Sequence, residues 1–131
     1  MVRIDIEYPL RTKSPRIVWE QISSAHGLER WLATHVTQED GHFTFTWGEP
    51  WTEHDTRTAE ILESVKYDHI RMKWDEFADD DAYWEMRIDK SELTHHLNLF
   101  ITDFAEDEDD AEGLRILWES NLERLHRASG L

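Results

Sequence analysis

Three polar residues sit where the hydrophobic pattern leads one to expect apolar ones, and they are the first candidates for chemistry. His95 falls on the apolar parity of the final alternating run, Leu93–Phe104. A buried imidazole facing a cavity would orient a polar ligand or act as acid or base. The plainer reading is a hydrogen-bonded histidine near a strand end. Asn121 lies on the apolar stripe of the C-terminal helical pattern. A buried carboxamide must find partners, either in the protein or in a ligand. Glu63 shares its parity with Ala59, Ile61 and Val65, so it is either a cavity carboxylate or the mark of a β-bulge.

Large apolar side chains surround these positions in the pattern. Trp47, Trp74, Trp84 and Trp118 fall on inward parities, as do Met86 and Leu97. They would line a ligand cavity or simply fill the core. Fully burying a large apolar side chain stabilises by roughly 1.5–3 kcal/mol, so core filling alone would account for them. Pockets are read by a few polar groups in apolar walls, which makes His95, Asn121 and Glu63 the short list for ligand contacts.

Other chemistries find no support in the residues. His95 and His96 are adjacent on an expected strand, so they point to opposite faces and cannot share a metal ion. The runs Asp79-Asp80-Asp81 and Glu106–Asp110 lack the glycine and spaced oxygens of a calcium loop, and read as solvated acidic loops. There is no cysteine, no nucleophile-elbow pattern and no glycine-rich phosphate loop, so no catalytic residue, metal or cofactor is expected.

Composition narrows the partners. The 131 residues carry 29 acidic and 14 basic side chains, a formal net charge of −15. That charge repels phosphate backbones and anionic membrane surfaces, which argues against nucleic-acid and membrane partners. Arginine outnumbers lysine ten to four. Abundant acid with scarce lysine suggests adaptation to high salt, where self-repulsion is screened; an ordinary acidic cytoplasmic protein is the competing reading. No apolar run reaches transmembrane length and no signal-peptide core is apparent, so a cytoplasmic location is expected. Seven Trp, five Phe and three Tyr supply a core despite the modest 39% hydrophobic content.

The elements that must position these residues follow from periodicity. Val2, Ile4, Ile6 and Tyr8 alternate with polar residues as a half-buried strand. Ser14-Pro15 reads as an N-cap with proline at the first helical position. Ser23 or Ser24 caps a second short helix, which Gly27 should interrupt. Asp40-Gly41 marks a turn. Strands are then expected at Phe43–Trp47, Thr56–Lys66, Ile70–Trp74, Tyr83–Ile88 and Leu93–Phe104, joined by short connections in an antiparallel meander. Leu114, Leu117, Trp118, Asn121, Leu122 and Leu125 form the stripe of one long helix. The acidic segment Glu106–Glu112 suits its positive dipole pole, Arg124, His126 and Arg127 suit the other, and Gly130 is the C-cap. The fold class is α+β: a curved antiparallel sheet gripping a long C-terminal helix, with two short helices after the first strand.

The phrases Ser14-Pro15…Val18-Trp19-Glu20, Gly27-Leu28-Glu29-Arg30-Trp31-Leu32, Phe43-Thr44-Phe45-Thr46-Trp47-Gly48, Glu92-Leu93-Thr94 and Ile101-Thr102-Asp103-Phe104, in this order, resemble the START-like, helix-grip superfamily. The branch it is most similar to is that of the activator of Hsp90 ATPase homologue 1. The resemblance covers residues 1–131 as one helix-grip domain. It implies a cavity rather than a reaction. The expected function is a non-enzymatic binding module for a small hydrophobic or lipid-like ligand between sheet and helix. Two alternatives come with the resemblance. One is a chaperone-partner role, although the chain lacks a separate N-terminal domain such as Hsp90 activators carry. The other is a cyclase- or hydrolase-like enzyme using His95 and Glu63.

Overall fold

The protein is seen in a computed structural model that describes residues 1–77 and 81–131. Among the described residues, seven strands form one antiparallel sheet. They are β1 (Val2–Pro9), β2 (His35–Glu39), β3 (His42–Trp47), β4 (Asp55–Val65), β5 (His69–Trp74), β6 (Trp84–Lys90) and β7 (Leu97–Ala105). Their order is β1-β7-β6-β5-β4-β3-β2. Neighbours from β2 to β7 are consecutive in the chain. Only β1 pairs at long range, with Ile4 opposite Asp103 and Ile6 opposite Ile101.

Helices α1 (Pro15–Ser23) and α2 (Ala25–Glu29) link one edge strand to the other, and α3 (Glu108–Ser129) lies against β1 and β7. At the start of α1 the expected proline is in place, but the Ser14 side chain makes no cap hydrogen bond. Pro15 opens α1, and the Ser24 hydroxyl accepts from Gly27 N at 3.0 Å in α2. Asp107 caps α3 by accepting from Asp110 N at 2.9 Å, so the acidic segment forms the first helical turn. Gly130, at φ 77°, closes α3 by donating to His126 O at 2.8 Å. Gly27 does not interrupt α2. A Cβ there would lie 1.9 Å from Glu20 O, so the missing side chain is what lets α2 close on α1.

The core fills the space between the concave sheet face and the helices. Ile4, Val18, Ile22, Phe43, Met72, Met86, Leu99 and Ile101 are fully enclosed there. Among the described residues no helix is long and apolar enough to cross a membrane.

Four expectations need correction. His35–Glu39 is a strand, joined to β3 by Asp40-Gly41, both at positive φ, the geometry of a tight two-residue hairpin. The last strand begins at Leu97, not Leu93: residues 91–96 form the hairpin connection and Leu93 is 94% exposed. Leu117 is exposed despite its place in the helical stripe, because α3 turns its Trp118–Leu122–Leu125 side to the core. Val65 is exposed at the end of β4, beyond a register shift between Ile61 and Glu63. Of the acidic run Asp79-Asp80-Asp81, the first two lie outside the described residues.

Candidate functional site

Alternation along three strands brings aromatic rings to one end of the concave face. Phe45 and Trp47 come from β3, Trp74 from β5 and Trp84 from β6. Trp118 descends on them from α3. Trp74 and Trp84 stack with centroids 5.1 Å apart and planes 24° apart. Phe45 meets Trp74 edge-on at 5.4 Å, and Trp118 lies 6.0 Å from Trp84. Such tilted and offset contacts are the favoured arrangements of aromatic pairs.

The rings do not close the space completely. An inner recess of about 80 Å³ is lined by Phe45, Trp47, Trp74, Trp84, Trp118 and Asn121, among others. An open cleft of about 400 Å³ lies beside it, between the end of β7 and the start of α3. Arg57, Trp74, Asp103 and Leu114 line both. The outer volume is in the range of small-molecule sites, and the inner one is well below it.

Asp103 is the chemically distinctive member. It is 8% exposed. Its Oδ2 accepts from Trp118 Nε1 at 2.9 Å and its Oδ1 from Phe104 N at 2.8 Å. Burial pushes its pKa up to about 6, against the two N–H donors and the charge of Arg57, which pull it down. Arg57 stacks its guanidinium 4.0 Å above Trp74 and pairs with Glu76. Trp84 Nε1 is buried and has no hydrogen-bond partner among the described residues. The other buried unpartnered side-chain atoms among the described residues, Gln21 Oε1 and His126 Nδ1, belong to residues that do not line the cleft.

Five expected positions, Trp47, Trp74, Trp84, Trp118 and Asn121, thus share the inner recess. Asn121 has its oxygen engaged by Arg124 of its own helix. Met86 and Leu97 are buried in the core and do not line the recess. His95 is not on a strand face at all. It sits exposed in the β6–β7 connection at φ 62°, because β7 begins two residues later. Glu63 follows the β4 bulge and points to the outside, where it bonds His69 Nε2 at 2.6 Å. Both residues lie at the opposite end of the sheet from the cleft, near the β4–β5 and β6–β7 turns, so they form no acid–base pair in it.

Asp103 and Arg57 went unremarked in the sequence, although the signal was present. Continuing the alternation Leu97, Leu99, Ile101 by one step puts Asp103 on the apolar face. Stepping back from Ile61 and Ala59 puts Arg57 there too. Among the described residues no three His, Asp or Glu side chains converge as metal ligands.

A family model for the START-like superfamily domain matches residues 1–131. The chain belongs to the START-like superfamily. Its solved structural neighbours include a Bacteroides fragilis protein, 36% identical over 96% of this chain and 89% of that one, with a TM-score of 0.65. An AHSA1-like protein from Aeromonas hydrophila is 15% identical over 97% and 91%, with a TM-score of 0.78. The Aha1 dimer from Colwellia psychrerythraea is 12% identical over 98% and 97%, with a TM-score of 0.75. The last two are likenesses of fold. No curated protein matches the sequence. The START-like fold of this chain is that of a ligand-binding or cyclase-like module.

Proposed function

We propose that this START-like protein binds a small apolar ligand at the Asp103 end of the sheet, with the ligand's ring or branched group against Phe45, Trp74 and Trp84. The observation that carries this reading is the unfilled recess itself. Aromatic walls open into a larger cleft, and their lining includes Asp103, a buried carboxylate, and Trp84, whose buried indole N–H has no partner among the described residues. Buried polar atoms without partners are uncommon in folded proteins, and a ligand acceptor is one way to satisfy such a donor. Binding rather than catalysis is favoured because Glu63 and His95, the expected acid and base, lie far from this cleft.

Magnitude sets the experiment. A ring burying about 150 Å² at ~25 cal/mol per Å² gains about 4 kcal/mol, a Kd on the order of 1 mM. NMR titration of ¹⁵N-labelled protein with a panel of aromatic and lipid-like compounds is therefore the suitable assay. Saturable shifts concentrated on the indole N–H signals of Trp74, Trp84 and Trp118 are expected. Shifts from no compound, or shifts scattered over the surface, would overturn the proposal.

A further inference from the structure

We infer that the cleft selects a small organic ammonium ion, with the cationic group at Asp103 and an attached apolar group among Phe45, Trp74 and Trp84. This rests on the binding reading above and adds the ligand's charge and size. Three observations converge on it.

The first is the charge of the walls. The described charged groups lining the recess and cleft are three carboxylates, Asp103, Glu106 and Asp110, against two cations, Arg57 and the Met1 amino group. Arg57 already pairs with Glu76. Asp103 has two N–H donors and no ion pair among the described residues. The start of α3, which would otherwise favour an anion, is already answered by Asp107 and by acids in its first turn. A cleft whose surplus charge is negative, in a chain of net charge −15, concentrates cations.

The second is that a ring of this site already holds a cation on its face. The Arg57 guanidinium sits 4.0 Å from the Trp74 centroid. Indole faces attract ammonium groups by the same electrostatics, more strongly where water is excluded. The third is size. A recess of about 80 Å³ admits a head group or a ring and not an extended acyl chain, which favours a free amine over a membrane lipid.

Phenethylammonium, 2-phenylethanol and 3-phenylpropionate share a ring and differ in charge. Each is titrated into the labelled protein at pH 7.5, reading the same indole N–H signals. Phenethylammonium is expected to bind at least tenfold more tightly than 2-phenylethanol, with 3-phenylpropionate weakest. Asp103→Asn should bring the first two within threefold of each other. Glu106→Gln combined with Asp110→Asn, both exposed at the cleft mouth, should weaken the ammonium about two- to threefold and leave the alcohol unchanged. The order among the three probes is read on the unmodified protein, so a variant that fails to fold does not blur the result. Equal binding of all three, or a preference for the carboxylate, would overturn the ammonium inference and leave the binding reading intact. No saturable shift with any of them would overturn both.

Discussion

Glu85 and Asp103 are buried to nearly the same extent, 6% and 8% exposed, yet their surroundings differ in kind. Glu85 points to the outer face of the sheet. It accepts from Arg71 Nε at 3.1 Å and lies 3.4 Å from an Arg87 guanidinium nitrogen. Arg71 in turn covers the Tyr83 ring at 4.3 Å. Asp103 points to the inner face and, among the described residues, accepts only from an indole and a backbone N–H, beside unfilled space. A buried carboxylate flanked by two guanidiniums is explained by the protein around it. One that is desolvated, without an ion pair among the described residues, and open to a cleft is not, and that difference separates a structural charge from a candidate site.

The contrast is broken most directly by removing each carboxylate. Glu85→Ala leaves Arg71 and Arg87 without their shared partner. Loss of one member of a fully buried pair costs about 3–5 kcal/mol. Here the arginine side chains are 33% and 40% exposed and water recovers part of their solvation, so a loss of ~2 kcal/mol is expected in urea unfolding at pH 7. Asp103→Asn should go the other way. An equal loss from both variants would erase the distinction.

The pH dependence sharpens the same comparison. Asp103 has its pKa raised by burial from 3.8 to about 6 in the folded protein. Between those values the folded state binds more protons than the unfolded one, so this group makes stability fall as pH rises from about 4 to 6. Above pH 6 the penalty is on the order of 3 kcal/mol. Asparagine removes the charge but offers one acceptor oxygen to two N–H donors, which costs ~1–2 kcal/mol. Asp103→Asn is therefore expected to be ~1 kcal/mol more stable than the parent at pH 7 and no more stable at pH 4.5. A difference that does not change with pH would refute the buried, unpaired state of Asp103.

His69 supplies a separate window. Its burial lowers its pKa, but hydrogen bonds to Asp68 and Glu63 raise it and prevail. Its contribution is fully present below pH 6.5 and fades as pH rises through the higher folded value. The stability lost in His69→Gln should thus shrink above pH 6.5, in a range where the Asp103 difference is already flat. Unfolding curves at half-unit pH intervals distinguish the two.

What was legible in the sequence was what periodicity carries over several turns or pairs. The α3 stripe, the β3, β5 and β6 alternations, the acidic lead-in Glu106–Glu112 and the C-cap Gly130 placed the grip of sheet and helix. The site was half legible for the same reason: its tryptophans lie on regular parities. What failed lay where regularity breaks. Parity cannot be carried through a bulge: of the two readings of Glu63 the bulge is the one found, and the shift after Ile61 sent its carboxylate outward, away from any cavity. Nor does alternation reveal where a strand starts, since Leu93, His95 and Leu97 read alike whether residues 93–96 are strand or connection. Asp103 shows the converse error. A charged residue on an apolar parity inside the expected strand carried no weight, although that conflict of residue type and position is what a functional group produces.

His95 offers the smallest test and the cleanest one for that strand boundary. At φ 62° the residue occupies left-handed backbone, where a side chain is unfavourable by about 1–2 kcal/mol and glycine is not. Glycine also gives the unfolded chain more freedom, at a cost of roughly 0.5–1 kcal/mol. The hydrogen bond from His95 N to Ser91 O, 2.9 Å, involves no side-chain atom and survives the change. His95→Gly is thus expected to raise stability by ~0.5 kcal/mol and to leave the indole N–H signals of the cleft unmoved. An inward-facing imidazole on a strand would behave oppositely: glycine would open a cavity and weaken the strand, with a loss above ~1 kcal/mol. The sign of a small number therefore decides whether the last strand begins before or after His95, and with it whether the polar chemistry of this fold gathers at one end of the sheet or two.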